Sequence, residues 1–91
     1  MSVNPFVGTW SGQISATPVV LEVFDSSSLL NVTGRFGSSK ENLAYLGSKG
    51  ERHCFWRALD HACICLSLEN NSLSMAYFEV GDLRKVLLRR A

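Results

Sequence analysis

Apolar and polar residues alternate with a period of two along most of this chain. In the stretch 29–36, Leu30, Val32, Gly34 and Phe36 fall on one side, and Asn31, Thr33 and Arg35 on the other. Such alternation marks a strand with one buried face, and no segment carries the three- and four-residue spacing of an amphipathic helix. Turn chemistry interrupts the pattern at intervals of roughly eight to twelve residues, the rhythm of an all-β sandwich or barrel. Eight strands are predicted, near residues 8–15, 18–25, 29–36, 42–47, 52–59, 62–68, 73–80 and 83–90. The turns between them are Asp25-Ser26-Ser27-Ser28, Gly37-Ser38-Ser39, Gly47-Ser48-Lys49-Gly50, Asp60-His61, Asn70-Asn71 and Gly81-Asp82. Asn-Asn and Gly-Asp tolerate positive φ and suit two-residue hairpins. The predicted architecture is an all-β, eight-stranded antiparallel up-and-down β-barrel, formed as one domain over residues 1–91.

Counting outward from the last three hairpins assigns the faces. One face collects Phe55, Leu59, Ile64, Leu66, Leu68, Leu73, Met75, Tyr77, Val86 and Leu88. The other holds Cys54, Trp56, Cys63, Cys65, Phe78, Lys85, Leu87 and Arg89, among smaller residues. The first face is bulkier and more aliphatic, so it is expected to look inward.

Composition narrows the classes. Hydrophobic residues make up 46% of 91, enough for a core and too many for a disordered chain. A formal net charge of +1 supplies no long-range attraction to phosphate backbones or anionic membranes. No apolar run reaches the roughly 20 residues of a spanning helix. Residues 1–5 show no positive n-region and no apolar h-region follows, so no secretory leader is read. Cys54, Cys63 and Cys65 are odd in number and form no framework of bridges, so free, mostly buried thiols in a reducing cytoplasm are expected. In that compartment the sequons at Asn31 and Asn70 carry no weight.

The opening Phe6-Val7-Gly8-Thr9-Trp10 resembles the first strand of the calycins, the superfamily of lipocalins, fatty-acid-binding proteins and avidins, and is most similar to the fatty-acid-binding branch. Thr33-Gly34-Arg35-Phe36 is similar to a segment of avidin-like barrels. The resemblance implies that a basic residue of the last strand packs over Trp10 and closes one barrel end. Arg90, or failing it Arg89, stands in that place, and the pairing puts Arg90 on the interior face. Two departures matter. Fatty-acid-binding proteins are longer and carry a helical lid between their first two strands, where only Ala16-Thr17 intervenes here; lipocalins are longer again. The resemblance is therefore to a miniature calycin-like barrel. Eight strands enclose a space that side chains can just fill or one small ligand can occupy.

Arg57 and His53 fall on the interior face, beside Phe55. An inward guanidinium without a partner costs several kcal/mol, so it implies a carboxylate, a ligand anion or a rim location. In one reading Arg57 anchors an acidic group of a ligand, with Tyr77 as hydroxyl partner and His53 near the mouth. In the other, both lie at barrel rims and Arg57 pairs with Glu79.

Three thiolates with His61 would make a zinc ligand set, but Cys63 and Cys65 diverge by nearly 7 Å along a strand, and the cysteines read as small apolar filler. The carboxylates form no dyad, Cys54 and His53 point to opposite faces, and no glycine loop precedes a helix, so no catalytic residues, metal or cofactor are predicted. Trp56, Phe78 and Leu87 form an apolar patch on the outer face, suited to a protein contact and most simply to a homodimer. Residues 1–5 offer it an alternative cover. Arg84, Lys85, Arg89 and Arg90 cluster without interleaved aromatics, so neither nucleic acid nor membrane is an expected partner.

The leading functional reading is the binding of a small, mainly apolar ligand, with or without an acidic group, inside the barrel. Trp10, His53, Phe55, Arg57, Leu66, Met75, Tyr77 and Arg90 form that site. The alternative is a filled barrel that acts as a protein-interaction or inhibitor module through Trp56, Phe78 and Leu87.

Overall fold

Positive-φ residues at Ser15, Gly37, Gly50, His61, Asn70 and Gly81 reverse the chain and bring successive strands side by side. The computed structural model describes residues 4–26, 29–58, 61–79 and 81–91, Glu79 by its backbone only. The eight strands are β1 Gly8–Ile14, β2 Thr17–Ser26, β3 Leu29–Phe36, β4 Ser39–Lys49, β5 Arg52–Arg57, β6 Ala62–Glu69, β7 Ser72–Glu79 and β8 Asp82–Arg90. Each pairs antiparallel with its sequence neighbour, and β1 pairs with β8 to close the barrel. The predicted all-β up-and-down architecture is the one found. None of the described residues forms a helix long and apolar enough to cross a membrane. Ser27, Ser28, Leu59, Asp60, Val80, residues 1–3 and the Glu79 side chain lie outside the described residues, and with them parts of two predicted turns, of the terminal arm and of the Arg57–Glu79 pair.

The assigned faces hold. Phe55, Ile64, Leu66, Leu73, Met75 and Leu88 have no exposed surface, and Tyr77 is buried beside them. Trp10, Val19, Leu21, Leu30, Val32 and Phe36 complete the interior from β1 to β3. At roughly 1.5–3 kcal/mol for each large side chain removed from water, this interior is the main stabilising term.

Two hairpins are offset from the predicted pairing. Phe55 faces Ile64 and Leu73 faces Leu88, two residues away from the partners that loops centred on Asp60-His61 and Gly81-Asp82 would give. A shift of two conserves the face of every side chain, because strand geometry repeats every second residue. A second correction concerns β4. Gly47-Ser48-Lys49-Gly50 is not the turn: β4 runs on to Lys49 and reverses at Gly50 and Glu51. Gly47 instead sits at a bulge, where the register with β5 shifts between Tyr45 and Gly47, and its φ of +142° favours glycine.

The cysteines are corrected as well. Cys54 and Cys65 are not free thiols but a disulfide between directly opposed residues of β5 and β6. The Cα–Cα distance of 4.1 Å is that of the narrow, non-hydrogen-bonded kind of pair, in which side chains approach most closely. Cys63 is the free cysteine among the described residues.

Candidate functional site

The barrel has two mouths, and they divide the predicted site residues between them. His53 and Arg57 share the inner face of β5 but stand four residues apart, about 13 Å at roughly 3.3 Å per residue. One mouth holds the chain termini and His53. The other holds Arg57.

At the terminal mouth, Arg90 is the register partner of Trp10. Its guanidinium lies 4.3 Å over the Trp10 ring and donates to the carbonyls of Val7 at 2.9 Å and Pro5 at 2.8 Å. The Trp10 indole donates to the Phe6 carbonyl at 2.9 Å. Arg90 shares the face of Trp10, yet it is exposed rather than interior, because it stands on the rim. Gly8 is small for the same reason: a Cβ there would come within 2.5 Å of Arg90 Nη1. Residues 4–7 fold back through a Val7 N–H to Asn4 carbonyl bond of 3.0 Å, which drops Phe6 into the opening.

Beside Phe6 lies a cavity of about 310 Å³, open to solvent and lined by Pro5, Phe6, Glu51, His53 and Leu68. The His53 ring packs edge-on against Phe6 with centroids 4.9 Å apart. Tyr45 fixes the ring from the other side, its hydroxyl 3.1 Å from His53 Nδ1. Nδ1 is thereby engaged, and Nε2 has no hydrogen-bond partner among the described residues.

At the opposite mouth, Arg57 is buried in a polar cluster that the barrel supplies itself. Its Nε donates to Glu41 Oε2, and its Nη1 donates to the Tyr77 hydroxyl at 3.2 Å. The guanidinium lies 4.0 Å over the Phe36 ring. Glu41 of β4 is thus a carboxylate beside Arg57; the Arg57–Glu79 pair expected from the sequence lies outside the described residues. Glu41 was missed because the fourth strand was read as beginning at residue 42, although Glu41, Leu43 and Tyr45 continue the alternation of that strand. Between the mouths, Phe55, Leu66 and Met75 are packed as core. Phe6, Tyr45 and Glu51 were likewise not among the site residues predicted from the sequence. The apolar Pro5-Phe6 before the first strand was the available signal for one of them.

On the outer wall, Trp56, Cys63, Phe78 and Leu83 are successive register partners across β5 to β8. Phe78 is 37% exposed, Leu83 62% and Leu87 53%. The basic residues of β8 are largely engaged, Arg84 with Asp82 and Lys85 with Glu69, both at 2.9 Å. Among the described residues no three His, Cys, Asp or Glu side chains converge to hold a metal ion. His61 packs instead against Trp56, with ring centroids 5.9 Å apart.

Fold and site together define an eight-stranded antiparallel barrel with an interior of buried apolar side chains, one mouth where Glu41 meets Arg57 and one mouth with a solvent-connected cavity. Compared with known proteins, the chain matches no family model, no curated protein and no solved structure.

Proposed function

We propose that this calycin-like barrel binds a small, mainly apolar ligand at its terminal mouth, between Phe6, Leu68 and His53. The cavity of about 310 Å³ carries the reading. It stands at the lower end of the roughly 300–1,000 Å³ of ligand pockets and combines apolar walls with a few convergent polar groups. Pro5, Phe6 and Leu68 supply apolar surface, and His53 Nε2 supplies one directed polar contact. Glu51 on the same wall repels an anion, so the ligand is neutral or basic. Arg57 and Tyr77 take no part, because the Arg57 charge is met by Glu41 at the far mouth. The test is titration with indole and 1-naphthol, followed through the imidazole resonances of His53. Saturable shifts that disappear in a cavity-filling Leu68→Trp variant support the reading; shifts that persist unchanged in that variant overturn it.

A second reading, self-association through the outer wall, is favoured by the apolar row Trp56–Cys63–Phe78–Leu83. Large exposed apolar patches usually serve contacts, and two-fold dimers are the commonest form. Sedimentation of the wild type beside Phe78→Ser decides it. A dimer that the substitution splits supports the contact, and a monomer in both removes it. A cytoplasmic location had free thiols among its grounds; the Cys54–Cys65 bridge weakens it, since such bonds persist in oxidising compartments.

A further inference from the structure

Three sulfur atoms meet on the outer wall, on the face of β5 opposite to that of His53. Cys54 and Cys65 are bridged, and Cys63 Sγ lies 3.9 Å from Cys65 Sγ. The two ends of the bridge differ in access. Cys65 is 9% exposed, whereas Cys54 forms part of a depression of about 210 Å³ together with Leu46, Gly47, Ser48 and Lys49.

The β4 bulge makes this depression. The residue opposite Cys54 is Gly47, which carries no side chain to cover the sulfur, and a Cβ there would meet nothing within 4 Å. The extra residue of the bulge, Leu46, is pushed out to 58% exposure and forms an apolar flank. Lys49 brings an ammonium to the rim, and its own register partner is another cation, Arg52. Neither has an ion-pair partner among the described residues, so this edge attracts carboxylates.

We infer that Cys54–Cys65 is a thiol–disulfide exchange site for low-molecular-weight thiols that carry carboxylates, the glutathione class, entering over Gly47. The incoming thiolate attacks Cys54 Sγ, and a mixed disulfide forms there. The Cys54–Cys65 bond breaks, and its electron pair leaves on Cys65 Sγ. The Cys63 S–H stands within reach to donate a hydrogen bond to that new thiolate, which makes Cys65 the better leaving group. A second small thiolate then attacks the sulfur of the bound small thiol. It departs as the oxidised dimer, and Cys54 and Cys65 remain as thiols after taking up two protons. Two small thiols are oxidised for each bridge reduced.

The experiment uses the oxidised full-length protein with reduced glutathione, trapped over time by alkylation and read by peptide mass mapping. The expected adduct is on Cys54, in protein whose circular dichroism remains that of the folded barrel. Lys49→Gln is expected to slow the reaction with glutathione several-fold while leaving the rate with 2-mercaptoethanol, an uncharged thiol without a carboxylate, unchanged. An adduct on Cys63 or Cys65, a bridge that yields only after denaturant is added, or equal slowing of both thiols would overturn the inference.

Discussion

Glu41 meets the charge of Arg57 inside the barrel mouth, from β4, the hydrogen-bonded neighbour of Arg57's own strand β5. Their side chains are 18% and 10% exposed, so the pair works in a partly dry setting where charge–charge attraction outweighs its value on an open surface. Residues that share such a contact couple by about 0.5–3 kcal/mol. A double-mutant cycle with Glu41→Leu and Arg57→Leu, measured by urea unfolding, should return a coupling of at least about 1 kcal/mol. Additive losses would mean that the two do not act as a pair.

Arg90 closes the terminal mouth through two carbonyl contacts and the Trp10 face. Hydrogen bonds from a charged donor contribute about 1.5–3 kcal/mol, and a cation over an aromatic face about 0.5–2 kcal/mol. Arg90→Ala should therefore destabilise the barrel by about 2 kcal/mol, a discounted sum because the group is exposed. Arg90→Lys should recover only part of this, since an ammonium cannot fork to both carbonyls and cover the ring. Full recovery by lysine would reduce the contact to charge alone.

Gly12 faces Leu88 across the β1–β8 seam. A Cβ at position 12 would lie 2.5 Å from Leu88 Cδ2 and 3.3 Å from the Leu87 carbonyl oxygen. Leu88 has no exposed surface into which to retreat. Gly12→Ala should cost about 1–3 kcal/mol, the usual penalty of overpacking, and lower the melting temperature by several degrees. A neutral result would show that the seam is looser than the register implies.

The Cys54–Cys65 bridge closes a loop with a sequence separation of 11. On the chain-entropy account, a loop of this size stabilises by about 3 kcal/mol. Urea midpoints with and without a strong reductant should differ accordingly. Coincident curves would show that the bridge adds nothing to stability.

Strand number, order and the identity of the inward residues were legible because a two-residue period is local and survives errors of register by two. His53 and Arg57 were rightly placed inward by the same parity. Their separation into two mouths was not legible as a site boundary, since parity states which face a residue occupies and not how deep along the barrel it stands. Glu41 escaped notice because the alternation of β4 begins in polar residues, Ser39 and Glu41, before any apolar one. The disulfide depended on direct opposition of Cys54 and Cys65, which the two-residue offset in that hairpin decides.

Periodicity and turn chemistry by themselves determined an antiparallel chain of eight strands with a defined interior, because each rests on backbone geometry within a few residues. Closure of the barrel brought together what lay far apart in the chain, Arg90 with Trp10 and Phe6 with His53, while the pairing of β4 with β5 set Glu41 beside Arg57. Those contacts fill one mouth and leave a cavity at the other. Tertiary structure alone could assign them, because a buried charge is neutralised, or a cavity left, only by what neighbouring strands and the terminal segment deliver to the same depth of the barrel.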